Sequence, residues 1–550
     1  MTNSPAFAIF YSGDAYSTAN KIMGRQSAGK AFMRGVARKW PEGTLNGMGQ
    51  GANTSKTMMS QLSQDGFTGQ LKWTDLPNWA AISEVGALYY PAPIPKDFAF
   101  SRNTFNSCAF SFMGITHTLS SNGAIDQVAE LVMPPFKPWD AMICTSQAAH
   151  DFSTRLHSDM KSWWSAQTGV TRFNAPQLPV IPLGIDCPAF APKQGRRDSS
   201  RAALGLSEQD VAFLFSGRLS FHAKANPAPM YQALEQAAQH APVVCIEAGV
   251  FPNEAIRGSF LTAQKLLAPS VRFIWVDGQD ELRYQQAWQS ADVFLSLSDN
   301  IQETFGLTPV EAMAAGLPVI VSDWNGYKDT VRHDIDGFRI PTTLPPAGVG
   351  GDLAMRHALG LDSYDFYIGR ASLATVVEPI ALAQACVRLA TQPELRASMG
   401  AAGLRRSALE FDWQVVLQRY SQLANELANI RLSAGPKAPE PWVQRADPFA
   451  RFAHFPSQTL LGNLVVVAQP GGLSRLRDML SLAMLNYAFE ASILPPEKIT
   501  AMLTSLNKNG SQTVNELLTS SGASNPVGVR CLMWLWKFDL VQIAPKLAAQ

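Results

Sequence analysis

Residues 296–341 read SLSDNIQETFGLTPVEAMAAGLPVIVSDWNGYKDTVRHDIDGFRIP, and this stretch carries the strongest structural signal in the chain. A short helix is predicted over about 309–315, because the proline at its start suits the first turn of a helix. Thr308 is the predicted cap of this helix, and Gly316 is predicted to end it. The apolar residues 319–321 then predict a buried strand.

Two glutamates, Glu303 and Glu311, flank the predicted start of this helix. The backbone N–H groups around Gly306 and Leu307 would point out of the helix N-terminus, where unpaired donors and the helix dipole stabilise a phosphate. Glu303 would then reach a sugar hydroxyl beyond the phosphate, and Glu311 a ribose hydroxyl behind it. An alternative stays open for Glu311, because Thr308-Pro-Val-Glu311 is also a capping box in which the glutamate bonds back to the cap.

The segment resembles the E-x7-E signature of retaining GT-B glycosyltransferases, specifically glycosyltransferase family 4, with the FGL-x-x-x-EAMA-x-G-x-PV continuation intact. The resemblance covers about residues 6–430 and implies two Rossmann-like halves that face each other across a cleft. It also implies a nucleoside-diphosphate sugar held in the C-terminal half, with Glu303 near the donor sugar and Glu311 near the nucleotide ribose. The donor-binding assignment in this half covers Glu311, Thr304, Phe305, Gly306 and Leu307.

Length and composition limit the number of domains, the classes of binding partner and the cellular location that we expect. A chain of 550 residues is too long for one core, so two or three domains are expected. The formal charge of +1 gives no electrostatic case for nucleic acid or anionic lipid. The sequence shows no membrane-length apolar run and no signal peptide, and its six scattered cysteines are typical of buried thiols in a reducing compartment. We therefore expect a cytoplasmic protein, and a peripheral association with the inner face of the membrane stays open.

Apolar runs alternate with helical stretches, which predicts an α/β chain with mostly parallel sheets. Strands are predicted at 6–12, 70–73, 86–90, 108–115, 141–144, 179–183, 211–217, 243–249, 271–278 and 292–298. The predicted domains are an N-terminal acceptor half at 1–185 completed by a helix near 411–430, a donor half at 186–410, a linker at 431–448 and an accessory domain at 449–550.

His117 follows the predicted strand 108–115, and open α/β sheets bind ligands beyond the ends of their strands. A lone histidine is more often a packed or capping residue. The resemblance, however, implies a histidine at this point that faces the donor sugar from across the cleft. Thr145 or Ser146, just after the predicted strand 141–144, is interpreted as a structural helix cap.

Residues 24–31, GRQSAGKA, nearly match a P-loop, but Ala31 replaces the Ser or Thr that would hold magnesium. We therefore reject an NTPase. A glycine-containing loop that opens the first helix is still expected, because it brings backbone donors near a phosphate or an acceptor. The resemblance places Gly29 near the family's N-terminal glycine pair, although Lys30 stands where the second glycine is usual. A simple helix entry is the alternative.

Arg218 and Lys224 follow the predicted strand 211–217. Positive charge at a strand end would hold a diphosphate and stabilise it as the sugar–oxygen bond breaks; ordinary solvated charge is the alternative. The resemblance implies a phosphate clamp of Arg and Lys here, with a spacing one residue longer than in the commonest family form. The predicted catalytic residues are Glu303, His117, Arg218 and Lys224. No metal or other cofactor is expected, because cations and a helix end take that role.

Residues 342–372 contain many Gly and Pro and are predicted to form a surface loop. In 449–550, helices are predicted near 473–490, 496–507 and 512–520, followed by a helix and a short strand, an order similar to a winged helix. Eight Lys and Arg stand against five Asp and Glu there, without a dense basic run. The tail is therefore interpreted as a module for partner binding or oligomerisation, and no nucleic acid is expected.

The resemblance implies an enzyme that transfers a hexose-type sugar from a nucleoside diphosphate to an acceptor hydroxyl with retention of configuration. The acceptor would be a glycan, a lipid-linked molecule or a protein, and the pathway glycan or polysaccharide biosynthesis. Two alternatives remain. One is a GT-B-fold sugar-nucleotide epimerase or phosphorylase, and the other is a non-catalytic regulator that binds nucleotide sugars.

Overall fold

The computed structural model describes residues 4–17, 24–193 and 195–544. The chain forms two compact units, Met1–Trp442 and Val443–Gln550. The first unit contains two six-stranded sheets with helices packed against them. The predicted architecture, two α/β halves and a largely helical C-terminal region, is confirmed.

The first half is built on six strands. These are β1 Ala8–Phe10, β2 Thr44–Gly49, β3 Gln70–Asp75, β4 Ala87–Tyr89, β5 Ser111–Ile115 and β6 Ala141–Ile143. Its helices are α1 Gly13–Tyr16, α2 Gly24–Lys39, α3 Ala52–Gln64, α4 Trp79–Val85, α5 Lys96–Asn106, α6 Asn122–Glu130 and α7 Gln147–Thr168. The strands pair in the order β3-β2-β1-β4-β5-β6, and every pair is parallel.

In this half, one observed strand is not predicted and one predicted strand is absent. Sequence reasoning misses β2, because glycines such as Gly47 and Gly49 lower the strand signal. The fold needs both glycines, since a Cβ at Gly49 would lie 2.8 Å from the Trp73 ring. Residues 179–183 form no strand and pair only through an isolated bridge at Val180, because the prolines in that segment have no N–H to donate.

The second half is built on a second set of six strands. These are β7 Val211–Ser216, β8 Val243–Gly249, β9 Arg272–Asp277, β10 Val293–Ser296, β11 Val319–Ser322 and β12 Gly337–Ile340. The helices up to β12 are α8 Cys187–Phe190, α9 Arg196–Ala203, α10 Ala228–Ala238, α11 Glu254–Leu267, α12 Glu281–Ser290, α13 Leu307–Ala314 and α14 Tyr327–Thr330. The strands pair in parallel in the order β12-β11-β10-β7-β8-β9.

Both sheets have the strand order of dinucleotide-binding folds, three strands built outward in one direction and three in the other. The direction of winding reverses between β1 and β4 in the first sheet and between β7 and β10 in the second. Ligands of open α/β sheets bind beyond the carboxyl ends of the strands at such a switch point. Arg218 and Lys224 follow β7, and Glu303 follows β10, so the topology directs these three side chains to one edge.

Residues 342–372 do not form the predicted surface loop. They contain β13 Thr342–Thr343, α15 Gly351–Ala358 and α16 Tyr364–Leu373, and β14 Val376–Val377 follows and pairs with β13. Asp362, in the turn between the two helices, forms ion pairs with Arg356 of α15 at 2.9 Å and Arg370 of α16 at 3.0 Å. We call residues 351–373 the insert hairpin. The Gly and Pro that suggested a loop are concentrated just before α15.

The first unit ends with helices that return to its first half. These are α17 Pro379–Thr391, α18 Pro393–Arg406, a π-helical turn at Ser407–Phe411 and α19 Trp413–Ser433. Trp413 packs so closely against α2 that a Cβ at Gly35 would lie 2.5 Å from it.

The segment after α19 continues along the first half. The backbone N–H of Glu440 donates to the Asn103 carbonyl at 2.9 Å, and the Trp442 ring stacks on Phe100. The boundary between the compact units therefore lies at residues 442–443, inside the predicted linker 431–448.

The C-terminal unit combines helices with a small antiparallel sheet of order β16-β15-β17. Its elements are a 3-10 turn Val443–Arg445, α20 Pro448–Arg451, β15 Val465–Ala468, α21 Gly472–Ser481, α22 Pro496–Asn509, β16 Gln512–Thr513, α23 Val514–Ser520, α24 Pro526–Lys537 and β17 Val541–Ala544. The helix predicted at 473–490 ends early, at Ser481. Trp534 is buried and donates to the Asn486 side chain at 3.0 Å, whereas Met533 is exposed.

A buried carboxyl group lies in the core of the second half. Glu247 of β8 is 1% exposed, accepts a hydrogen bond from the Tyr231 hydroxyl and accepts another from Gln264 Nε2 at 2.8 Å. Burial raises the pKa of Glu247 to about 7, although both hydrogen bonds oppose the rise.

This raised pKa predicts a loss of stability with rising pH. The folded state holds its proton to a higher pH than the unfolded state, so the stabilisation is present below about pH 4.5 and is lost as the pH rises through about 7. Glu247→Gln cannot ionise and should remove a decline of about 3 kcal/mol between pH 4.5 and 8. Urea unfolding of parent and variant across this range measures how the free energy of unfolding depends on pH. The same pH dependence in both proteins would contradict the prediction.

Candidate functional site

A partly buried ion pair joins the segments that follow β7 and β10. Lys224 Nζ lies 2.7 Å from Glu303 Oε2, and the two side chains are 16% and 20% exposed. Asn300 Nδ2 donates to the Lys224 carbonyl at 2.9 Å, and Asp299 accepts from the Asn226 N–H at 3.2 Å. These bonds hold the two segments together. Sequence reasoning misses the two residues that follow Ser298, although polar residues directly after a buried strand are a usable signal.

The ion pair keeps both groups charged despite their burial. Burial alone would raise the pKa of Glu303, but the Lys224 charge and the N–H groups of Phe305 and Thr304 hold this pKa below its usual value. Burial likewise opposes the charge on Lys224, and the Glu303 carboxylate outweighs it and raises the pKa of the amine. The site therefore presents a fixed carboxylate and a fixed cation side by side.

Helix α13 begins at Leu307, and Gly306 is its N-cap with φ 92°. The predicted cap at Thr308 is therefore wrong, and its Oγ1 is buried without a hydrogen-bond partner. The capping-box alternative for Glu311 fails with it, because that motif needs Thr308 at the cap. Gly316, with φ 73°, follows the end of the helix as predicted. The first-turn N–H groups of α13 have no acceptor within the helix, and Glu303 lies in the segment that leads into this helix end.

Glu311 lies one turn into α13 and near the ion pair. Burial raises the pKa of Glu311 to about 7, and the positive charge of Lys224 opposes the rise. Its carboxyl group also lies close enough to Tyr284 to raise the pKa of that hydroxyl, after the larger effect of burial. Among the residues that the structure describes, none forms a hydrogen bond or ion pair with the Glu311 side chain. The carboxyl group is therefore available to a ligand hydroxyl.

Arg218 begins the loop that leads to Lys224. Its Nη2 donates to the Ala223 carbonyl at 3.3 Å, which occupies one of five guanidinium donors. Its charge opposes the raised pKa of Lys224, so the two cations act on one another. Within the described part of the chain, no carboxylate pairs with Arg218. A guanidinium without a counter-charge beside a buried cation is suited to bind an anion.

His117 comes from the first half, directly after β5. Its Nε2 lies 2.9 Å from the Pro91 carbonyl, and because a carbonyl only accepts, Nε2 carries the proton. Burial lowers the pKa of His117 to about 4, the Pro91 hydrogen bond opposes the change and the Arg25 charge adds to it. The imidazole is therefore neutral near pH 7, and its Nδ1 is an acceptor.

A hydrogen bond joins the two halves beside Glu303. Ser146 caps α7, as predicted, by accepting from the Ala149 N–H at 3.1 Å. Its hydroxyl donates to the Thr304 carbonyl at 2.6 Å, a contact that the sequence does not indicate. The neighbouring Thr145 N–H donates to Thr116 Oγ1 at 3.2 Å, so the segment that carries His117 is tied to the same contact.

Two assigned residues lie elsewhere than expected. Gly29 is inside α2 rather than in a loop that opens it, and a Cβ there would lie 2.0 Å from the Ala15 carbonyl oxygen. Its structural role is the close packing of α1 on α2. The residues just before α2, 18–23, lie outside the described residues. Phe305 is buried against Phe411, so only its backbone can face a ligand.

The described residues contain neither a metal-ligating cluster nor a membrane-spanning helix. No group of three or more His, Cys, Asp or Glu in that part of the chain could hold a metal ion. None of the helices described is both long and apolar enough to cross a membrane. All six cysteines are free thiols, and five of them are buried.

Comparison with known proteins supports the interpretation of the second half. Residues 196–347 match the family model described as glycosyl transferases group 1. The D-inositol 3-phosphate glycosyltransferase of Jonesia denitrificans is 30% identical over 195 residues, which cover 33% of this chain and 45% of that protein. The protein of the same name from Geodermatophilus obscurus is 29% identical over 192 residues, covering 33% and 41%. The chain thus spans less than half the length of these curated relatives.

Solved structures are similar over a larger share of the chain. The Anabaena protein HepE in complex with UDP is 16% identical with a TM-score of 0.49, covering 78% of this chain and all of that one. Sucrose-phosphate synthase of Thermosynechococcus elongatus is 17% identical with a TM-score of 0.47, covering 77% and 99%. The residues that follow β7 and β10 lie within the segment matched by the family model. The similarity to glycosyl transferases group 1 therefore covers the segment of the chain that carries Arg218, Lys224, Glu303 and Glu311.

Proposed function

We propose that this protein is a retaining glycosyltransferase of the family 4 type, which moves a sugar from a nucleoside diphosphate to an acceptor hydroxyl in glycan or polysaccharide biosynthesis. The observation that carries the proposal is the partly buried Lys224–Glu303 pair. It lies at the switch point of the second sheet, beside the first turn of α13. This arrangement offers a cation and backbone donors to a diphosphate and a carboxylate to the sugar.

Each group has a role in holding the donor. Arg218, Lys224 and the first-turn amides of α13 bind the diphosphate. Glu303 accepts a hydrogen bond from a sugar hydroxyl, because Lys224 keeps its carboxyl group ionised. Glu311, without a partner among the described residues, accepts from the ribose. His117, a neutral acceptor at Nδ1, receives another sugar hydroxyl from the opposite half.

The chemistry then follows as a same-face substitution. The bond between the anomeric carbon and the phosphate oxygen breaks, and the diphosphate keeps the electron pair. The acceptor oxygen bonds to the anomeric carbon on that face, and its proton passes to the departing phosphate oxygen. Arg218 and Lys224 stabilise the charge that develops on the diphosphate, the task for which pre-positioned cations are most effective. A metal ion is not needed for this role.

Free nucleoside diphosphate, measured during incubation with donor and acceptor, tests the proposal. The donor panel is set by thermal-shift screening of uridine, guanosine and adenosine diphosphate sugars. D-inositol 3-phosphate belongs in the acceptor panel, because the curated relatives are named for it. Retention is read from the anomeric signals of the product by NMR. An epimerase would convert the donor without releasing diphosphate.

Arg218→Ala and Glu303→Ala should each abolish diphosphate release, because one removes a counter-charge of the leaving group and the other the sugar contact. Arg283→Ala is the matched control, since Arg283 is an exposed residue of α12 in the same half. All three proteins are compared at equal folded fraction by circular dichroism. If both site variants keep the parent rate, the site assignment is wrong.

Gly306→Ala should weaken the binding of nucleoside diphosphates by about tenfold or more. An added Cβ would lie 2.0 Å from the Tyr327 ring, and alanine is strained at the positive φ of this position. Gly348→Ala is the control, because its φ is 97° but no atom lies within 4 Å of the added Cβ. Isothermal titration calorimetry measures the affinity of each variant for nucleoside diphosphates. Equal affinities would show that the turn before α13 takes no part in binding.

A further inference from the structure

The insert hairpin contacts the first half next to His117. The Tyr364 hydroxyl, at the start of α16, lies 2.7 Å from Ser120 Oγ and 3.2 Å from Thr118 Oγ1. Ser120 is buried and belongs to the segment that leaves β5 and carries His117. The hairpin itself is an insertion in the second half, between β12 and α17. One tyrosine hydroxyl therefore joins the two halves at the site.

The same helix also contacts the loop of the two cations. A Cβ at Gly369 would lie 3.2 Å from the Cβ of His222, and Asp365 Oδ2 lies 3.8 Å from His222 Nε2. His222 stands between Arg218 and Lys224 in the chain. Helix α16 is thus wedged between the segment that holds His117 and the loop that holds the proposed diphosphate clamp.

Ion pairs and a ring stack inside the hairpin join its two helices to each other. The Asp362 carboxylate is 5% exposed and accepts from Arg356 in α15 while pairing with Arg370 in α16. The rings of His357 and Tyr367 stack with centroids 4.7 Å apart. By contrast, the hydrogen bonds that join the hairpin to the described residues of the first half form one hydroxyl cluster with no charged member. Such hydrogen bonds add little net stability, so they can break and form again in each turnover.

We propose that Tyr364 is a positioning residue that latches the insert hairpin onto the Thr118–Ser120 segment and holds the cleft closed over the donor. The inference rests on the proposed function, because closure matters only if a reactive donor must be shielded. A closed cleft excludes water and favours the acceptor hydroxyl over hydrolysis. Loss of the latch should therefore raise donor hydrolysis relative to transfer.

The first test compares Tyr364→Phe, Ser120→Ala and the double variant with the parent. Each single variant should raise the ratio of hydrolysis to transfer roughly 2- to 10-fold, the range expected for one hydrogen bond. The KM for the donor should change little, because neither residue belongs to the proposed donor site. The ratio of hydrolysis to transfer in the double variant should not exceed that of Tyr364→Phe alone, since both changes remove the same bond. Additive effects of the two changes would overturn the latch.

Tyr367→Phe is the matched control, because it removes from the same helix a hydroxyl that forms no hydrogen bond with the described residues, and the ring stack on His357 is kept. Its ratio of hydrolysis to transfer should equal that of the parent. If Tyr367→Phe changes the ratio as much as Tyr364→Phe, the effect comes from the hairpin in general and the latch is wrong.

A second measurement does not depend on activity. Hydrogen exchange of the protein without ligand should show faster exchange of the 116–121 segment in Tyr364→Phe than in Tyr367→Phe, with the rest of the first half unchanged. Unchanged exchange in that segment would overturn the latch. If the exchange changes as expected but neither transfer nor hydrolysis is found with any donor, the contact is upheld and the proposed function fails instead.

Discussion

Lys224→Met is expected to lower the rate of diphosphate release by about 10²- to 10³-fold, the cost of removing one charge that stabilises a developing anion. The loss has a second cause. Burial is the largest influence on Glu303, and the Lys224 charge is what keeps the pKa of Glu303 below its usual value. Without the amine, the pKa of Glu303 should rise, so the remaining activity should recover only as the pH increases.

The two causes can be separated with a second substitution. In Lys224→Met/Glu303→Gln neither member of the pair is charged, so the pH dependence should disappear while the rate stays low. Because the two residues act as a unit, the combined loss should be smaller than the product of the single losses. Lys265→Met, in an exposed position of α11, is the control and should keep the parent rate. A Lys224→Met rate within threefold of the parent would contradict the role of the cation.

Arg102→Met is expected to produce the largest loss of stability, about 3–5 kcal/mol, because it leaves the buried Asp140 carboxylate without its counter-charge. Both side chains are 0% exposed. Arg102 Nη2 donates to Asp140 Oδ2 at 3.0 Å, and Asp140 also accepts from the N–H groups of Phe112 at 2.9 Å and Lys137 at 3.0 Å. The pair thus ties α5 to β5 and β6 in the core of the first half.

A compensating substitution tests this explanation. In Arg102→Met/Asp140→Asn the buried charge is removed, and the amide oxygen can still accept from one of the two N–H groups, which donate to different oxygens of Asp140. The double variant should therefore be more stable than Arg102→Met alone. Lys96→Met is the contrast, because the Lys96–Glu130 pair, at 2.6 Å, is 52% and 45% exposed and should contribute at most about 1 kcal/mol. Urea unfolding midpoints provide the comparison. Equal midpoints for Lys96→Met and Arg102→Met would show that the buried pair stabilises the fold no more than the exposed pair does.

Much of the site was predictable because it depends on strand ends. Parallel strands bring their carboxyl ends to one edge, so Arg218 and Lys224 could be placed at a ligand-binding edge, and the resemblance to the E-x7-E signature assigned Glu303 to the same site. The exact start of α13 could not be predicted. Thr308-Pro-Val-Glu311 is a strong local signal for a cap, yet the close packing of Tyr327 on Gly306 and the positive φ of that glycine start the helix two residues earlier.

Other features had no local signal. The contact of Ser146 with Thr304 joins residues 158 positions apart, and that of Tyr364 with Ser120 joins residues 244 positions apart. Nothing near either residue in the chain distinguishes it from an ordinary cap or surface hydroxyl. The same is true of Gly29, which looks like part of a ligand loop but is small because Ala15 packs against it.

By itself, the sequence determined the alternation of strands and helices, the division into two α/β halves and a tail, and the residues that stand at the ends of β7 and β10. These follow from hydrophobic periodicity and from turn chemistry, which act over a few residues. Only the tertiary structure decided which buried charges find partners, where α13 starts and that the insert hairpin reaches across to the first half. Those outcomes depend on packing between distant segments, whose free energy is set by surfaces that meet only after the chain has folded.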